Sequence, residues 1–380
     1  MRRMGRGMGR GALGMLIAVL AIVPDRAVGQ ATGTAPEGSI DNLRHPPGTE
    51  TAPLGTLGDV VRRGEGPVHL LLLPGAPFGA DVWDAFMERN AERYTMWAIT
   101  QPGYGGTAPS PMPSWDDLSA SPWSDGVQEA IVRLIADEGM RRPFVVGHHL
   151  ESDRRALRLG LEHPELISGV AVMAGVAGQD LATVDSSGRR RAARPEEVIP
   201  TLRDQWVPMW RTVTAEGWRQ GTYPPSALSV HPVRGQDLFA RQVAVPIPTQ
   251  VRYFVELTAE DLRPLMPRLE VPLLVISAVP VETLGEHFDR ASERILQLPE
   301  FQGMEETDGR AAYVSSRVER FGSEDAALCA IYGAPWLELP ALPPDTEVEA
   351  VGPSGVFVFQ DRPEVVDRLL AEWIRRKGAS

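Results

Sequence analysis

The sequence has very few of several residue types that would point to particular classes of protein. Cys329 is the only cysteine, so the chain cannot form an internal disulfide bond. Lys377 is the only lysine, and the acidic residues outnumber the basic ones to give a formal net charge of -12. An acidic chain without a basic stripe repels phosphate backbones, so we expect no nucleic-acid partner.

The overall composition is that of a globular protein. The 380 residues are 43% hydrophobic and 23% charged, which excludes a disordered, collagen-like or coiled-coil chain. The length exceeds that of a usual single domain. We therefore predict one large core that carries an inserted subdomain.

The N-terminus has the pattern of a secretory signal. Four arginines in the first ten residues precede an apolar run from Ala12 to Val23, and small residues follow at Ala27 and Gly29. We predict a signal peptide over residues 1–29, cleaved near Gly29 to Ala31, and an exported protein, periplasmic or extracellular. The run is too short to span a hydrocarbon core of about 30 Å, so a membrane contact is expected only if the segment is retained as an anchor.

The remainder of the chain divides into a spacer, a core and a cap. Residues 30–53 are rich in glycine, proline, threonine and alanine and are predicted to be a flexible spacer. Residues 54–178 and 268–380 alternate strand and helix patterns, which predicts an α/β core with a mostly parallel, doubly wound sheet. Residues 179–267 contain many prolines and tryptophans without a strand pattern, and we predict an inserted cap there.

Most strands of the core are predicted from continuous apolar runs, as expected for strands that are buried on both faces. These runs are residues 68–73, 96–99, 144–146, 169–174, 273–277 and 348–351. The apolar residues from Gly355 to Phe359 are predicted to belong to the last strand region. A closing helix is predicted from Glu364 to Arg376.

Three turns between these elements resemble those of the α/β-hydrolase fold family. They are Pro74-Gly75-Ala76, Pro102-Gly103-Tyr104-Gly105-Gly106 and Val146-Gly147-His148-His149-Leu150-Glu151. They correspond in position to the family's His-Gly, Pro-Gly-x-Gly and Gly-x-Ser-x-Gly motifs, the last being the nucleophile elbow. The resemblance covers roughly residues 54–376 outside the cap. It implies the α/β-hydrolase fold with an inserted cap.

The positions that the resemblance would make catalytic carry other residues. The serine position corresponds to His149, and the glycine position that follows corresponds to Glu151, whose negative charge opposes a developing oxyanion. The position of the base corresponds to Val356, which cannot accept a proton. The resemblance places the catalytic acid shortly after the strand predicted at residues 273–277, where the first carboxylate is that of Glu282. We therefore assign no catalytic residue.

A binding site is expected to remain at the elbow. The backbone N–H groups of Ala76 and Leu150 are expected to face a pocket at a helix N-terminus, which favours anions. The predicted binding residues are Ala76, His149, Leu150 and Glu151. No metal ligand is assigned, because adjacent histidines point apart and no further ligand stands at a recognised spacing. No cofactor is expected.

Other histidines and tryptophans have simpler interpretations. His231 and His287 are expected at the surface. The cap residues Trp206, Trp210 and Trp218 either line an apolar ligand site or pack the cap, and the sequence leaves both open. A small apolar ligand is expected under the cap.

Three hypotheses about function follow. The leading one is a catalytically degenerate hydrolase homologue that binds a small ligand or a partner. The alternative is an active hydrolase of esters, epoxides, lactones or amides that uses His149 or Glu151. A purely structural or interaction protein is distinguished from the first by the absence of a cavity of roughly 300 Å³ under the cap.

Overall fold

The structure is a computed structural model that describes residues 43–175, 177–178, 181–184, 190–337, 339, 342–343 and 345–378. The predicted signal peptide and residues 30–42 of the predicted spacer lie outside the described residues. Within the described ranges, no helix has both the length and the apolar character needed to cross a membrane.

The core of the molecule is a seven-stranded sheet with the strand order β1-β3-β2-β4-β5-β8-β9. Its strands are β1 (Val60–Arg63), β2 (Val68–Leu73), β3 (Tyr94–Ile99), β4 (Phe144–His148), β5 (Gly169–Met173), β8 (Leu273–Ala278) and β9 (Thr346–Val351). β1 pairs with β3 in the antiparallel sense, and every other pair in this sheet is parallel. The fold class predicted from the apolar runs is therefore confirmed.

Helices cover both faces of the sheet. The helices before and after the cap are α1 (Asp84–Asn90), α2 (Pro122–Asp137), α3 (Glu151–Glu162), α10 (Leu284–Ile295), α11 (Glu306–Phe321), α12 (Glu324–Leu337), α13 (Val358–Asp361) and α14 (Pro363–Lys377). One apolar cluster joins β2, β3 and β4 to α1 and α14. A second cluster joins the opposite face of the sheet to α2 and α3. This two-sided cover explains why the strands read as uninterrupted apolar runs.

The predicted cap region is mainly helical. It contains the short hairpin of β6 (Ala182–Val184) and β7 (Arg190–Ala192), followed by α4 (Val198–Thr201), α5 (Val207–Thr212), α6 (Ala215–Gly221), α7 (Pro225–Leu228), α8 (Pro232–Ala244) and α9 (Ile247–Ala259). A π-helical turn, Leu202–Trp206, joins α4 to α5. Trp206, Trp210 and Trp218 pack in one apolar cluster with residues of α9.

The apolar stretch from Gly355 to Phe359 is not a strand, so that prediction is wrong. The N–H groups of Val356 and Phe357 donate to the carbonyls of Ala227 and Leu228 in α7, at 2.8 and 3.1 Å. The Gly355 N–H donates to the carboxylate of Asp361 at 2.8 Å. The segment therefore binds the cap region instead of extending the sheet, and α13 begins at Val358.

Residues 43–53 contain no helix or strand, but they contact the folded part. Leu43 is fully buried within the apolar cluster of the cap region. The Trp115 indole N–H donates to the Leu43 carbonyl at 3.1 Å, and the Ala52 N–H donates to the Pro109 carbonyl at 2.9 Å. The described end of the predicted spacer is thus held against the protein.

A buried ion pair joins the last cap helix to the core. Arg252 and Glu256 lie one turn apart on α9, both side chains are 0% exposed, and their Nε and Oε1 atoms are 2.7 Å apart. The Glu256 carboxylate also accepts the N–H groups of Trp123 and Ser124 in the first turn of α2, at 3.3 and 2.6 Å. Glu256 therefore caps α2 and neutralises Arg252 at the same time.

Removing this carboxylate should destabilise the fold. Glu256→Ala leaves the Arg252 guanidinium buried without a counter-charge, and such losses cost about 3–5 kcal/mol. Urea denaturation measures the free energy of unfolding. The matched control is Glu129→Ala on α2, because Glu129 is 72% exposed and pairs with Arg133 at 3.9 Å only at the surface. The control should change stability by less than about 1 kcal/mol, and equal losses in the two variants would contradict the prediction.

Candidate functional site

The site is built around the turn between β4 and α3, which we call the elbow and define as residues 147–151. His149 and Leu150 both have positive φ values, of 55° and 50°. The backbone of a non-glycine residue is strained at such φ values, at a cost of order 1–3 kcal/mol for each residue. A Cβ atom on Gly147 would lie 2.5 Å from the Ser152 carbonyl oxygen, so glycine is required for the helix to pack this closely against the strand.

The residue at the point where the turn becomes helix is Leu150. It immediately precedes α3, with φ 50° and ψ -118°. The sequence correspondence placed the serine position at His149, one residue earlier. Neither residue carries a hydroxyl, thiol or carboxylate group, so the elbow presents no ordinary nucleophile at either position.

The first turn of α3 is polar, yet it is buried. The side chains of Ser152, Asp153, Arg154 and Arg155 are each no more than 4% exposed. Hydrogen bonds connect them to several surrounding segments. Ser152 donates to the Pro74 carbonyl, Asp153 accepts the Met173 N–H at 3.2 Å, Arg154 donates to the carbonyls of Leu257 and Glu260, and Arg155 donates to Gln101 at 2.7 Å and to the Ser124 carbonyl at 2.8 Å.

His148 connects the two loops that flank the elbow. Its Nδ1 accepts the Gly75 N–H at 3.2 Å, so its Nε2 carries the proton and donates to the Val356 carbonyl at 3.0 Å. The ring is fully buried, and burial lowers the pKa of His148 to about 4. Both ring nitrogens are thus occupied in a neutral imidazole, which leaves no free nitrogen to act as a base.

The predicted positions of the acid and the base lie in other environments. Val356 contributes its backbone carbonyl to His148 and has no side-chain acceptor. Glu282 follows β8 and bonds to His287 at 3.2 Å, to Arg290 at 2.6 Å and to the Tyr332 hydroxyl. Burial opposes ionisation of Glu282, but the bonds from His287 and Tyr332 and the charge of Arg290 outweigh it and lower the pKa of Glu282. His287 is buried in this group, so the expectation that it lies at the surface is wrong.

A small pocket lies between the elbow and the cap region. Its water-accessible volume is about 50 Å³, room for about four water-sized groups at 10–15 Å³ each. This is well below the roughly 300 Å³ that was to distinguish a metabolite-binding protein from a purely structural one, so the criterion is not met and only a ligand much smaller than a metabolite could bind here. The pocket is lined by Ala76, Pro77, Tyr104, Leu150, Glu151, Trp210, Trp218, Thr222, Tyr223, Gln242, Gln250, Val251 and Phe254.

The structure brings three of the four predicted binding residues into the wall of this pocket, namely Ala76, Leu150 and Glu151. The fourth, His149, lies behind the wall. Its Nε2 is 3.3 Å from the hydroxyl of Tyr223, which lines the pocket. Burial, together with the neighbouring His148, holds the pKa of His149 well below its ordinary value, so its imidazole is neutral near pH 7.

Glu151 is the acidic residue of the pocket wall. Its side chain is 4% exposed, and its Oε1 accepts the hydroxyl of Tyr104 at 3.3 Å. Its Oε2 has no hydrogen-bond partner among the described residues. Burial raises the pKa of Glu151, although its own backbone N–H, Arg155 and Tyr104 act in the opposite direction.

Sequence reasoning missed much of the pocket. Tyr104 belongs to the second of the recognised turns but was not assigned a role there. Tyr223 and Phe254 lie in the cap region, where no strand or spacing pattern marks them. Of the cap tryptophans, Trp210 and Trp218 line the pocket while Trp206 packs against Trp210, with ring centroids 5.3 Å apart. All three tryptophans thus pack in the cap region, and two of them also line the pocket.

Two larger hollows are open grooves on the surface. One, of about 590 Å³, lies between α1 and α14, and the other, of about 520 Å³, lies beside Arg62 and Trp97. Neither is lined by a residue of the elbow. In the part of the chain that the structure describes, no group of three or more histidine, cysteine, aspartate or glutamate side chains is placed to hold a metal ion.

No family model and no curated protein matches the chain. Several solved structures are similar to it over most of its length. An enol-lactonase from Burkholderia xenovorans LB400 is 13% identical with a TM-score of 0.52, and the match covers 83% of this chain and 96% of that one. A hydrolase from Pseudomonas aeruginosa PA01 is 13% identical with a TM-score of 0.51 over 83% and 93% of the two chains.

An esterase from Exiguobacterium antarcticum is 15% identical with a TM-score of 0.50, and the match covers 83% of this chain and 94% of that one. Identities this low establish the fold and not the activity. The strand order, the elbow and these similar structures agree with the resemblance of the three turns to those of the α/β-hydrolase fold family. The chain is therefore a member of the α/β-hydrolase fold.

Proposed function

We propose that the protein is an exported, non-hydrolytic member of the α/β-hydrolase fold that binds a small ligand in the pocket at the elbow. The observation that carries the proposal is the elbow itself, where His149 and Leu150 stand in the strained turn without a nucleophilic group. The imidazole of His148 is committed through both nitrogens. Acyl transfer needs a nucleophile and a base in contact, and neither strained position of the elbow supplies a hydroxyl, thiol or carboxylate nucleophile.

The pocket restricts the ligand to a small molecule. A cavity of about 50 Å³ admits about four non-hydrogen atoms if each needs the space of one water molecule. At a ceiling of about 1.5 kcal/mol per atom, such a ligand gains at most about 6 kcal/mol. This corresponds to a dissociation constant no tighter than about 40 μM. Binding experiments therefore belong in the millimolar range.

An active hydrolase is the second candidate, and one contact favours it. His149 is neutral and lies 3.3 Å from the Tyr223 hydroxyl at the pocket wall, so its imidazole has the protonation state of a general base. In that case Tyr223 or a bound water would be the group that His149 deprotonates. The substrate would be an ester, epoxide, lactone or amide.

Ester turnover distinguishes the two candidates. Purified protein lacking residues 1–29 should hydrolyse p-nitrophenyl acetate and butyrate at most about ten times faster than buffer, because no activated nucleophile is present. His149→Ala should change this rate no more than the matched control His231→Ala, which removes an exposed imidazole on the N-terminal side of α8. A wild-type rate far above buffer that is lost in His149→Ala alone would establish the active hydrolase.

Export is tested separately in a bacterial host. The full chain should accumulate outside the cytoplasm, and mass spectrometry of the intact protein should find a new N-terminus between Gly29 and Ala31. Deleting residues 2–23 should keep the protein in the cytoplasm, because the charged and apolar parts of the signal are then absent. Full-length protein in the membrane fraction would instead indicate that the segment is retained as an anchor.

A further inference from the structure

The pocket-lining residues, all of which the structure describes, leave few buried polar atoms without a partner. These atoms are Glu151 Oε2, Trp210 Nε1 and Trp218 Nε1. Trp210 is 1% exposed, Trp218 is 7% exposed and Glu151 is 4% exposed. Buried polar groups are nearly always hydrogen-bonded in folded proteins, so these three atoms, which belong to residues that line one cavity, are candidates to bind a group placed within it.

Two of these atoms can act only as donors. An indole nitrogen donates one hydrogen bond and accepts none, so the partner of Trp210 and of Trp218 must be an acceptor. The rest of the wall is largely apolar or aromatic, with Leu150, Val251 and Phe254 among its residues. A ligand that contacts this wall is therefore apolar apart from its acceptor atoms.

The third atom becomes a donor when Glu151 is protonated. The Tyr104 hydroxyl donates to Oε1, so Oε1 is an acceptor. The proton of the neutral carboxyl group therefore lies on Oε2. The groups that face Glu151 are the hydroxyls of Tyr104 and Tyr223, the phenol of Tyr253 and the guanidinium groups of Arg154 and Arg155. Burial nevertheless raises the pKa of Glu151 above its ordinary value.

The two arginines do not provide a free cation for a charged ligand. Arg154 donates to the carbonyls of Leu257 and Glu260, and Arg155 donates to Gln101 and to the Ser124 carbonyl. An anionic ligand would thus be buried without a direct ion-pair partner, which is unfavourable. The faces of the aromatic rings in the wall attract a cation, but while Glu151 is protonated the pocket offers no counter-charge, and burying a cation there is unfavourable.

We infer that the pocket selects an uncharged ligand that accepts hydrogen bonds, and that the carboxyl group of Glu151 determines this specificity as a donor. The inference deepens the proposed function and rests on it. The ligand class comprises small ketones, ethers, esters and amides of about four non-hydrogen atoms, the size set by the cavity. Glu151 is a specificity-determining residue here, because no covalent step is involved.

The donor role of Glu151 determines the sign of the pH dependence of binding. The pKa of Glu151 is raised in the folded protein, so its donor form is complete at low pH and disappears as the pH rises through that pKa. Affinity for an uncharged acceptor should therefore fall as the pH rises. Glutamine has an NH₂ group in the same place and does not titrate, so Glu151→Gln should keep the affinity and lose its pH dependence.

The test uses three probes of equal size: acetone, the trimethylammonium ion and the acetate ion, each with four non-hydrogen atoms. The ¹⁵N–¹H signals of the Trp210 and Trp218 indoles, assigned with Trp210→Phe and Trp218→Phe, report binding at the pocket directly. Acetone should shift both signals saturably at millimolar concentrations. The two ions should bind at least tenfold more weakly at a pH where Glu151 is protonated.

The variants decide the role of the carboxyl group. Acetone affinity should fall at least tenfold between the acidic and basic limits of the Glu151 titration in the wild type. It should stay constant in Glu151→Gln, whose folding is checked by its thermal midpoint. Glu165→Gln is the matched control, because Glu165 is 65% exposed near the C-terminal end of α3, and it should behave as the wild type. A pH dependence that survives in Glu151→Gln would overturn the inference.

The outcomes also separate the inference from the proposed function. Preferential binding of trimethylammonium or acetate would refute the uncharged-acceptor class while leaving a ligand pocket in place. If none of the probes shifts either indole signal, the cavity holds water only, and both proposals fail. Acetone binding together with ester turnover that depends on His149 would retain the ligand class and refute the non-hydrolytic function.

Discussion

The hydrogen bonds made by the buried first turn of α3 hold the site together. A helix that begins Glu151-Ser152-Asp153-Arg154-Arg155 would be stable with these side chains in water, but here each of them is almost fully buried. Their partners belong to the loop after β2, the turn after β3, strand β5, helix α2 and the end of helix α9. Losing one buried partner leaves another polar group unsatisfied, at about 1–3 kcal/mol each. The segments around the pocket are therefore fixed by one another.

The same hydrogen bonds remove chemical groups from the site. The Ser152 hydroxyl donates to the Pro74 carbonyl and accepts from Gln101 at 3.3 Å, so it is used in the scaffold below the elbow. His148 is used in the same way between Gly75 and Val356. Burial raises the pKa of Asp153 well above its ordinary value, which favours the neutral form of this carboxyl group under the turn. Residues that look catalytic in the sequence thus serve as structural links, and the polar atoms left over are those that face the pocket.

The sequence predicted the sheet well because its strands are buried on both faces, which makes each an uninterrupted apolar run. The same rule failed for Gly355 to Phe359, whose apolar residues bind α7 of the cap region rather than a neighbouring strand. The burial of the first turn of α3 could not be predicted, because its charged residues give no apolar periodicity and are buried through hydrogen bonds. Three predicted binding residues reach the pocket because the elbow motif fixes where a strand becomes a helix. The aromatic wall could not be predicted, since it depends on how the cap region folds over the elbow.

The positions of Leu150, Val356 and Glu151 show why a single substitution would not create a serine hydrolase here. A serine at position 150 would have no base, because Val356 offers only its backbone and His148 is occupied through both nitrogens. A histidine at position 356 would find the nearby carboxylate of Asp361 already bonded to Gly355, Ser229 and Arg234. Glu282 is likewise bound to His287, Arg290 and Tyr332. Even a complete triad would place its oxyanion beside Glu151, whose carboxylate opposes it whenever it is ionised. Groups of a triad act as a unit, so each partial change gains little rate. A serine-hydrolase elbow is therefore separated from the present one by several concerted replacements.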